Sequence, residues 1–416
     1  MEHGKVAENI LAFSCKNIFG REIVFESPNV ISAVGKTTEM TDVLILLDDT
    51  LITIQSKSLQ LSIDEIDDIK LNRIVNKYED AKRQINRTIN ARNNKQKVEL
   101  KTDFKKTLNL PWENIKYIIC IIVINIEDNF YTDSEIRFQF PIKYEKHKDY
   151  DLHTFILRDF YNIIMDINSG GDFLAYLRER KYLSNKTFQN YTNEMDILAL
   201  FLTQYEFIEK VHKTEPDIVF LPVGLYEEFV SKNKELIEKR NNKKFALSVV
   251  DLITDELKLS FEYTMDLSKV DITQMTSMYF KILGKYSKLL RVHKVAITEK
   301  FIEKINSSQI EDLRYFMIPI NNIGFLFLIS NDRDREIRKS KLQVFTAYLA
   351  KYLSTEHQEL NINEILAIAT EGKKVPGRSI DIILSSSDDA LTMVSEFKDI
   401  SLFNFNNVGR IDEWSM

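Results

Sequence analysis

The stretch that decides the fold of the N-terminal part runs from Asp42 to Lys57: Asp42-Val-Leu-Ile-Leu-Leu-Asp-Asp-Thr-Leu-Ile-Thr-Ile-Gln55-Ser-Lys57. Two runs of apolar and β-branched residues flank Asp48-Asp49, which predicts an antiparallel hairpin that turns at these two residues. With Leu47 opposite Thr50, the side chains of Asp42 and Gln55 face each other, and the alternate positions form a continuous apolar face. A four-residue loop would keep this pairing, whereas a three-residue loop would destroy it.

The open end of this hairpin gathers three polar groups. Lys57 lies two residues beyond Gln55 and therefore points to the same side of the strand. Asp42, Gln55 and the carbonyl oxygen of Ser56 can supply the oxygen ligands that a hard cation such as Mg²⁺ prefers. A metal held there would lower the pKa of a bound water and polarise a phosphate, and the Lys57 ammonium would offset charge in the transition state.

This arrangement resembles the PD-(D/E)xK nuclease superfamily, which has the restriction-endonuclease-like fold. The match is to its D…QxK variant, found in Mrr-type restriction enzymes and related prokaryotic defence nucleases. The resemblance implies that Asp42 binds the metal, that Gln55 replaces the second acidic residue and that Lys57 is the catalytic lysine. Gln55 departs from the usual Asp or Glu and removes one negative charge from the metal site. The resemblance covers roughly residues 1–145.

Two flanking segments add to the resemblance. The segment Gly4-Lys-Val-Ala-Glu8, on a helix predicted for residues 5–17, resembles the part of these nucleases that places a Glu beside the metal. Glu8 as an ordinary surface charge is the alternative, and Glu39 is a second candidate for the missing carboxylate, although a loop position is expected for it. Ala81-Lys-Arg-Gln84, on a helix predicted for residues 63–94, is similar to the A-x-x-Q element that follows the QxK strand.

Positive charge concentrates on that second helix and just after it. Between Lys70 and Lys106 there are twelve Lys or Arg residues against four Asp or Glu, although the whole chain has a net charge of −6. Such a local surplus suits a phosphate backbone, and a solvated helix face followed by an Asn- and Lys-rich loop is the alternative. The residues expected to contact nucleic acid are Arg73, Lys77, Arg83, Gln84 and Arg87.

The composition limits the remaining classes. A length of 416 residues suggests two or three domains, and two cysteines with six scattered histidines favour neither a disulfide framework nor a zinc enzyme. The N-terminus has no basic segment leading into an apolar core, which predicts no signal peptide. The longest apolar run, Tyr117–Ile126, is about half a membrane span. We therefore expect a cytoplasmic protein without a membrane segment.

The expected fold class is α/β. It comprises a restriction-endonuclease-like nuclease domain at 1–145, a helical connector at 146–213 and a mixed α/β domain for sensing or docking at 214–416. Predicted strands lie at 22–25, 117–126, 135–140, 245–252, 257–263, 314–320, 325–329 and 380–384. Predicted helices beyond residue 145 lie at 150–167, 171–182, 193–212, 225–240, 272–290 and 334–353.

The resemblance implies an endonuclease that uses Mg²⁺ or Mn²⁺ to hydrolyse phosphodiester bonds in DNA, with RNA left open, in prokaryotic restriction or antiphage defence. One alternative is a catalytically silent scaffold that keeps the fold and binds nucleic acid. Another is a subunit switched on by a partner such as an ATPase, because the chain has no Walker motif of its own. One site per chain also favours a homo-oligomer if both strands of a duplex are cut.

Overall fold

The computed structural model describes residues 2–31, 35–61, 67–101, 107–126, 143–184, 187–188, 194–214, 218–219, 224–232, 272–307, 313–330, 332, 334–371 and 380–394. The helices are α1 (Glu2–Phe19), α2 (Asp67–Asn93), α3 (Leu157–Ile167), α4 (Gly170–Ser184), α5 (Glu194–Thr203), α6 (Tyr205–Thr214), α7 (Leu225–Lys232), α8 (Ile272–Ser287), α9 (Arg291–Ser307), α10 (Arg335–Glu356) and α11 (Ser387–Val394). None of these described helices is long and apolar enough to cross a membrane.

The strands are β1 (Val24–Glu26), β2 (Asn29–Ile31), β3 (Thr37–Glu39), β4 (Val43–Leu47), β5 (Thr50–Leu59), β6 (Lys97–Lys101), β7 (Thr107–Asn109), β8 (Tyr117–Ile126), β9 (Lys143–Lys146), β10 (Asp151–Ile156), β11 (Thr187–Phe188), β12 (Ile218–Val219), β13 (Leu313–Ile320), β14 (Ile323–Ser330), β15 (Glu364–Thr370) and β16 (Ile380–Ser386). They form sheets of mixed parallel and antiparallel pairing flanked by helices, which confirms the predicted α/β fold class.

The predicted hairpin is present with the predicted register. β4 and β5 pair antiparallel, Leu47 lies opposite Thr50 and Val43 lies opposite Ile54. Asp48 at the turn adopts a left-handed φ of 52°, which an Asp tolerates better than most side chains. All five residues of β4 are buried, as expected for a strand inside a sheet.

The hairpin forms the centre of a six-stranded mixed sheet with the order β1-β4-β5-β8-β10-β9. β8 pairs parallel to β5, and β10 pairs parallel to β8, so the long apolar strand predicted at 117–126 is confirmed as a central strand. α2 follows β5 in the chain and packs on β5 and β8, while α1 and α3 pack against each other and on the sheet. A second, four-stranded sheet with the order β3-β2-β6-β7 is formed by residues of the same part of the chain.

Several element boundaries differ from the prediction. The helix predicted at 150–167 is wrong in its first part, because residues 151–156 form β10 and only 157–167 are helical. The predicted strand at 22–25 is a short 3₁₀ turn followed by β1, and the helix at 193–212 is two helices, α5 and α6. α9 and β15 were not predicted. The strands predicted at 135–140, 245–252 and 257–263 lie outside the described residues.

By compactness the chain divides into two units, residues 1–242 with 283–291, and residues 243–282 with 292–416. The expected boundary at residue 145 does not coincide with this division. It falls between β8 and β10, which are neighbours in one sheet, and the helices of 146–213 pack with that sheet. The expected boundary at 214 also differs, because the first unit continues beyond it.

Residues 283–291 return to the first unit at the hairpin turn. Lys285 Nζ donates to Asp48 Oδ2 at 3.1 Å, and Lys288 bonds Asp49. Gly284 lies so close to the turn that a Cβ there would be 2.1 Å from the backbone nitrogen of Asp48. Only a glycine allows this approach of two backbones.

The second unit contains a four-stranded sheet, β13-β14-β15-β16. β14 and β15 pair in parallel, and α10 provides the crossover between them, as a parallel connection requires. Asp334 caps the start of α10 with hydrogen bonds from two backbone N–H groups. The buried Arg338 of this helix donates to Asp381 and Glu371, each at 2.6 Å, and Arg335 also pairs with Asp381, so two cations face two carboxylates.

Candidate active site

The open end of the hairpin brings Asp42 and Gln55 into direct contact. Gln55 Nε2 donates to Asp42 Oδ1 at 2.9 Å, and the backbone N–H of Ser56 donates to Asp42 Oδ2 at 2.5 Å. Asp42 is 8% exposed, and both of its partners are buried as well. β4 begins at Val43, one residue after Asp42, so the carboxylate lies where the ladder between β4 and β5 ends and where Ser56 has no β4 partner.

Burial raises the pKa of Asp42 to about 7. The hydrogen bond from the Ser56 N–H opposes this rise, the charge of Glu8 adds to it, the charge of Lys57 opposes it, and Glu39 adds a smaller effect. A carboxyl with this pKa is about half ionised at neutral pH. Asp42 can therefore both bind a cation as a carboxylate and release it on protonation.

The two candidate second carboxylates lie near Asp42 without touching it. Glu8 on α1 is partly exposed and pairs with Lys5 at 3.3 Å. Glu39 ends β3 and is exposed, which differs from the expected loop position. Both residues act on Asp42 through charge alone among the contacts that the structure records. Glu8 lies on the helix that the sequence predicted, and its charge acts on Asp42, while its place beside a metal stays a prediction.

Lys57 points from β5 toward α2, where Nζ donates to Gln84 Oε1 at 2.5 Å. Burial lowers the pKa of Lys57, while the charges of Asp42 and Asp80 oppose this effect and those of Lys77 and Arg87 add to it. The sequence placed Gln84 among the nucleic-acid contacts. In the structure its carbonyl oxygen is engaged by Lys57, so Gln84 holds the ammonium in place.

The residues at the open end suit a magnesium ion in part. Asp42 offers a carboxylate, and Gln55 and Ser56 offer an amide and a backbone oxygen, which is an all-oxygen donor set. The amide of Gln55 presents its nitrogen to Asp42, so its oxygen is turned away from this contact. Within the described residues no group of three or more His, Cys, Asp and Glu side chains could hold a metal. One protein carboxylate with neutral oxygens matches Mg²⁺, which keeps several waters and binds substrate phosphate.

The basic residues of α2 do not form one uniform surface. Arg73 donates to the carbonyl of Gln60 at 2.8 Å, and Arg83 pairs with Asp80 one helical turn away. Lys70 is buried, although it counts toward the positive surplus of the sequence. Lys77 and Arg87 lie near enough to Lys57 to lower its pKa, so they are the basic side chains that border the hairpin end.

Asp80 is the residue of this site that the sequence reasoning missed. Its charge acts on Lys57, and its carboxylate holds Arg83. The signal was present in the sequence, because Asp80 lies three residues after Lys77 and four before Gln84, on the same helix face. Its negative charge opposes the positive surplus that indicates a nucleic-acid surface, so the charge pattern alone does not indicate it.

A second buried polar cluster lies in the same unit, away from the hairpin end. Arg180 donates to both oxygens of Glu194, at 2.8 and 2.9 Å, and to the carbonyl of Thr154 at 2.7 Å. Arg180 Nη1 also lies 3.2 Å from His153 Nδ1, and the guanidinium covers the Phe155 ring at 4.1 Å. Burial lowers the pKa of His153, and the Arg180 charge adds to this, so the imidazole is neutral. The cluster ties β10 to α4 and α5.

Comparison with known proteins gives no family for this chain: no family model, no curated protein and no solved structure matches it.

Proposed function

We propose that the first unit is a metal-dependent nuclease that hydrolyses phosphodiester bonds in DNA, in prokaryotic restriction or antiphage defence. The observation that carries the proposal is the Asp42–Gln55 pair at the end of a hairpin, with Lys57 held beside it by Gln84. The mixed sheet with three parallel central strands, and the resemblance of this segment to the D…QxK variant of the PD-(D/E)xK superfamily, support the same function.

Each side chain has a role in this proposal. Asp42 and Gln55, with the carbonyl of Ser56, hold Mg²⁺ or Mn²⁺, which when bound lowers the pKa of a water and polarises the scissile phosphate. Lys57 donates to the phosphate oxygen on which negative charge develops, or orients the attacking water. Gln84 positions Lys57, and Glu8 orients a water at the carboxylate side. Lys77 and Arg87 attract the phosphate backbone.

DNA is the substrate class that the proposal names, and RNA is an outcome of its test. Phosphodiester hydrolysis at such a site is the same for DNA and RNA, because the metal and the lysine would contact the phosphate and would not distinguish ribose from deoxyribose.

A second candidate function, a catalytically silent clamp for nucleic acid, is favoured by Gln55. A neutral amide whose nitrogen faces Asp42 supplies less negative charge to a cation than a second carboxylate would. Restoring the carboxylate with Gln55→Glu therefore separates the two functions. If the site is an active metal site, the Gln55→Glu variant should bind Mn²⁺ more tightly than the wild type and cleave the substrate at a different rate. If the protein is a clamp, the variant should show neither metal binding nor cleavage.

The experiment measures cleavage of supercoiled plasmid, linear duplex and single-stranded RNA by the full chain with Mg²⁺ or Mn²⁺. We expect metal-dependent nicking that falls at least 100-fold in Asp42→Asn and in Lys57→Met, because each removes a group that acts on the scissile phosphate. Lys97→Met is the matched control, since Lys97 is an exposed lysine on β6, outside the sheet of the hairpin. Nicking that survives in both hairpin variants would place the activity elsewhere.

Partner activation is tested by the same variants in cells. If the pure protein does not cut but protection against phage still requires Lys57, an activating subunit such as an ATPase is missing from the assay. If neither cleavage nor protection depends on Asp42 or Lys57, the nuclease proposal is wrong.

A further inference from the structure

Helix α1 carries large apolar side chains on the side that is turned away from the sheet. Val6, Ile10 and Phe13 are 55%, 37% and 62% exposed. Their spacing of four and three residues places them in one stripe along the helix. The opposite side of α1, which includes Leu11 and Cys15, is buried in the unit. Helix α1 therefore has apolar side chains both on the face that packs on the sheet and on the face exposed to solvent. A helix whose outer face contacts only water usually carries polar residues there.

Helix α3 extends the exposed stripe of α1 into a wider surface. Tyr161 and Met165 of α3 are 39% and 49% exposed and lie one helical turn apart, while Phe160 and Ile164 are buried. α1 and α3 pack against each other on the same sheet, so their outward stripes are neighbours. Five large exposed apolar side chains on two adjacent helices mark an interaction surface in a folded protein.

We propose that this α1/α3 face is the interface of a homodimer, in which α1 packs antiparallel against α1 of a second copy. A two-fold contact must bring residue i against j and j against i. The α1 stripe meets this condition, because Val6 and Phe13 lie on either side of Ile10. The antiparallel pair sets the small branched side chain of Val6 against the ring of Phe13 of the partner subunit, with Ile10 near the two-fold axis.

The charges around the stripe favour a second copy over nucleic acid or a lipid surface. A DNA backbone or an anionic membrane would require a surplus of basic residues beside the stripe. α1 and α3 instead carry four acids and three bases, so the face has no basic surplus and two copies meet with little net charge. Among the side chains that the structure describes, the partly or fully exposed charged residues of these two helices are Lys5, Glu8, Lys16, Arg158, Asp159 and Asp166.

The size of the face also suits a dimer. α1 has 18 residues and is about 27 Å long at a rise of 1.5 Å per residue. α3 has 11 residues and is about 16 Å long, so two helices about 10 Å wide present roughly 430 Å² in projection. A standard interface buries about 800 Å² of accessible surface per partner, and a corrugated helix face has more accessible area than its projection.

The first test is sedimentation equilibrium of the full chain over a range of concentrations. We expect a dimer for the wild type and at least a 100-fold higher dissociation constant for Phe13→Asp and for Met165→Asp. Tyr117→Asp is the matched control, because Tyr117 is also 62% exposed but belongs to β8 and to neither of the two helices. A monomeric wild type, or variants that dissociate no more than the control, would overturn the proposal.

A second test locates the two-fold axis and stays informative if the charged variants do not fold. Ile10→Cys changes an exposed position, and both native cysteines are buried. Mild oxidation should give a disulfide-linked dimer through Cys at position 10, while Tyr117→Cys should remain monomeric under denaturing conditions. Dimers that form without this cross-link would show that another surface is used. Neither test measures nuclease activity, so this inference and the proposed function can fail separately.

Discussion

The Asp42→Asn variant gives the sharpest test of the electrostatics at the hairpin end. Burial holds the pKa of Asp42 at about 7, against 3.8 for an aspartate in water. The carboxylate therefore destabilises the folded protein. Below about pH 4 the carboxyl is protonated in both the folded and the unfolded state, so its burial takes little from the free energy of unfolding. As the pH rises to 7 the unfolded state loses its proton first, so stability falls over this window. An asparagine has no such charge.

The magnitude follows from the pKa difference. About three pKa units at 1.36 kcal/mol each set an upper bound of about 4 kcal/mol at pH 7 and above. The amide still loses some hydration and offers one acceptor oxygen instead of two, which removes part of the gain. We expect Asp42→Asn to raise the free energy of unfolding by about 2 kcal/mol at pH 8 and by much less near pH 4.

The assay is urea unfolding in the presence of EDTA at pH 4.5, 6 and 8. Asp149→Asn is the matched control, because it makes the same change at an exposed position of the same unit. A gain that is the same at all three pH values, or a loss at pH 8, would refute the assignment of a destabilising buried charge to Asp42. Added Mn²⁺ should stabilise the wild type more than the variant, since ligand binding to the folded state adds to its stability.

Three further predictions concern titration and the buried cluster. The affinity for Mn²⁺, measured by calorimetry, should weaken about tenfold from pH 8 to pH 6, because Asp42 must lose a proton near pH 7 to bind; equal affinities would contradict this. Arg180→Met should cost about 3–5 kcal/mol in urea unfolding, because it leaves Glu194 buried without its cation, and a loss under 1 kcal/mol would argue against the pair. Since His153 stays neutral in the folded state but is protonated below about pH 6.5 when unfolded, stability should fall by up to about 1.4 kcal/mol per pH unit on acidification below that value. His153→Gln should remove this slope.

The hairpin and the strand beside it could be predicted because their information is local. Side chains along an extended strand point alternately to its two faces, which sets which residues between Asp42 and Lys57 share a face, and the turn at Asp48-Asp49 sets the register. The β-branched and apolar composition of Tyr117–Ile126 was sufficient to predict a buried strand there. These features depend on neighbours within a few residues, and a one-residue slip would exchange the two faces of the strand and separate Asp42 from Gln55.

The assignment of residues 151–156 shows where local information ends. Leu157 begins a strongly amphipathic helix, and the sequence pattern predicts that the six residues before it belong to the same helix. Pairing with β8 decides that they form a strand, because the backbone hydrogen bonds of β10 are made with residues about 30 positions away. A pattern within one segment cannot report that partner.

The sequence by itself determined the α/β class, the hairpin with its Asp42–Gln55 contact, and the helix that carries Gln84. Only the tertiary structure decided that Lys57 bonds Gln84, 27 residues away, and that Arg180 and Glu194 neutralise each other in the interior. The physical reason is the range of the interactions. Side-chain alternation acts between adjacent residues, whereas burial and charge pairing depend on which distant segments the packed sheet brings together.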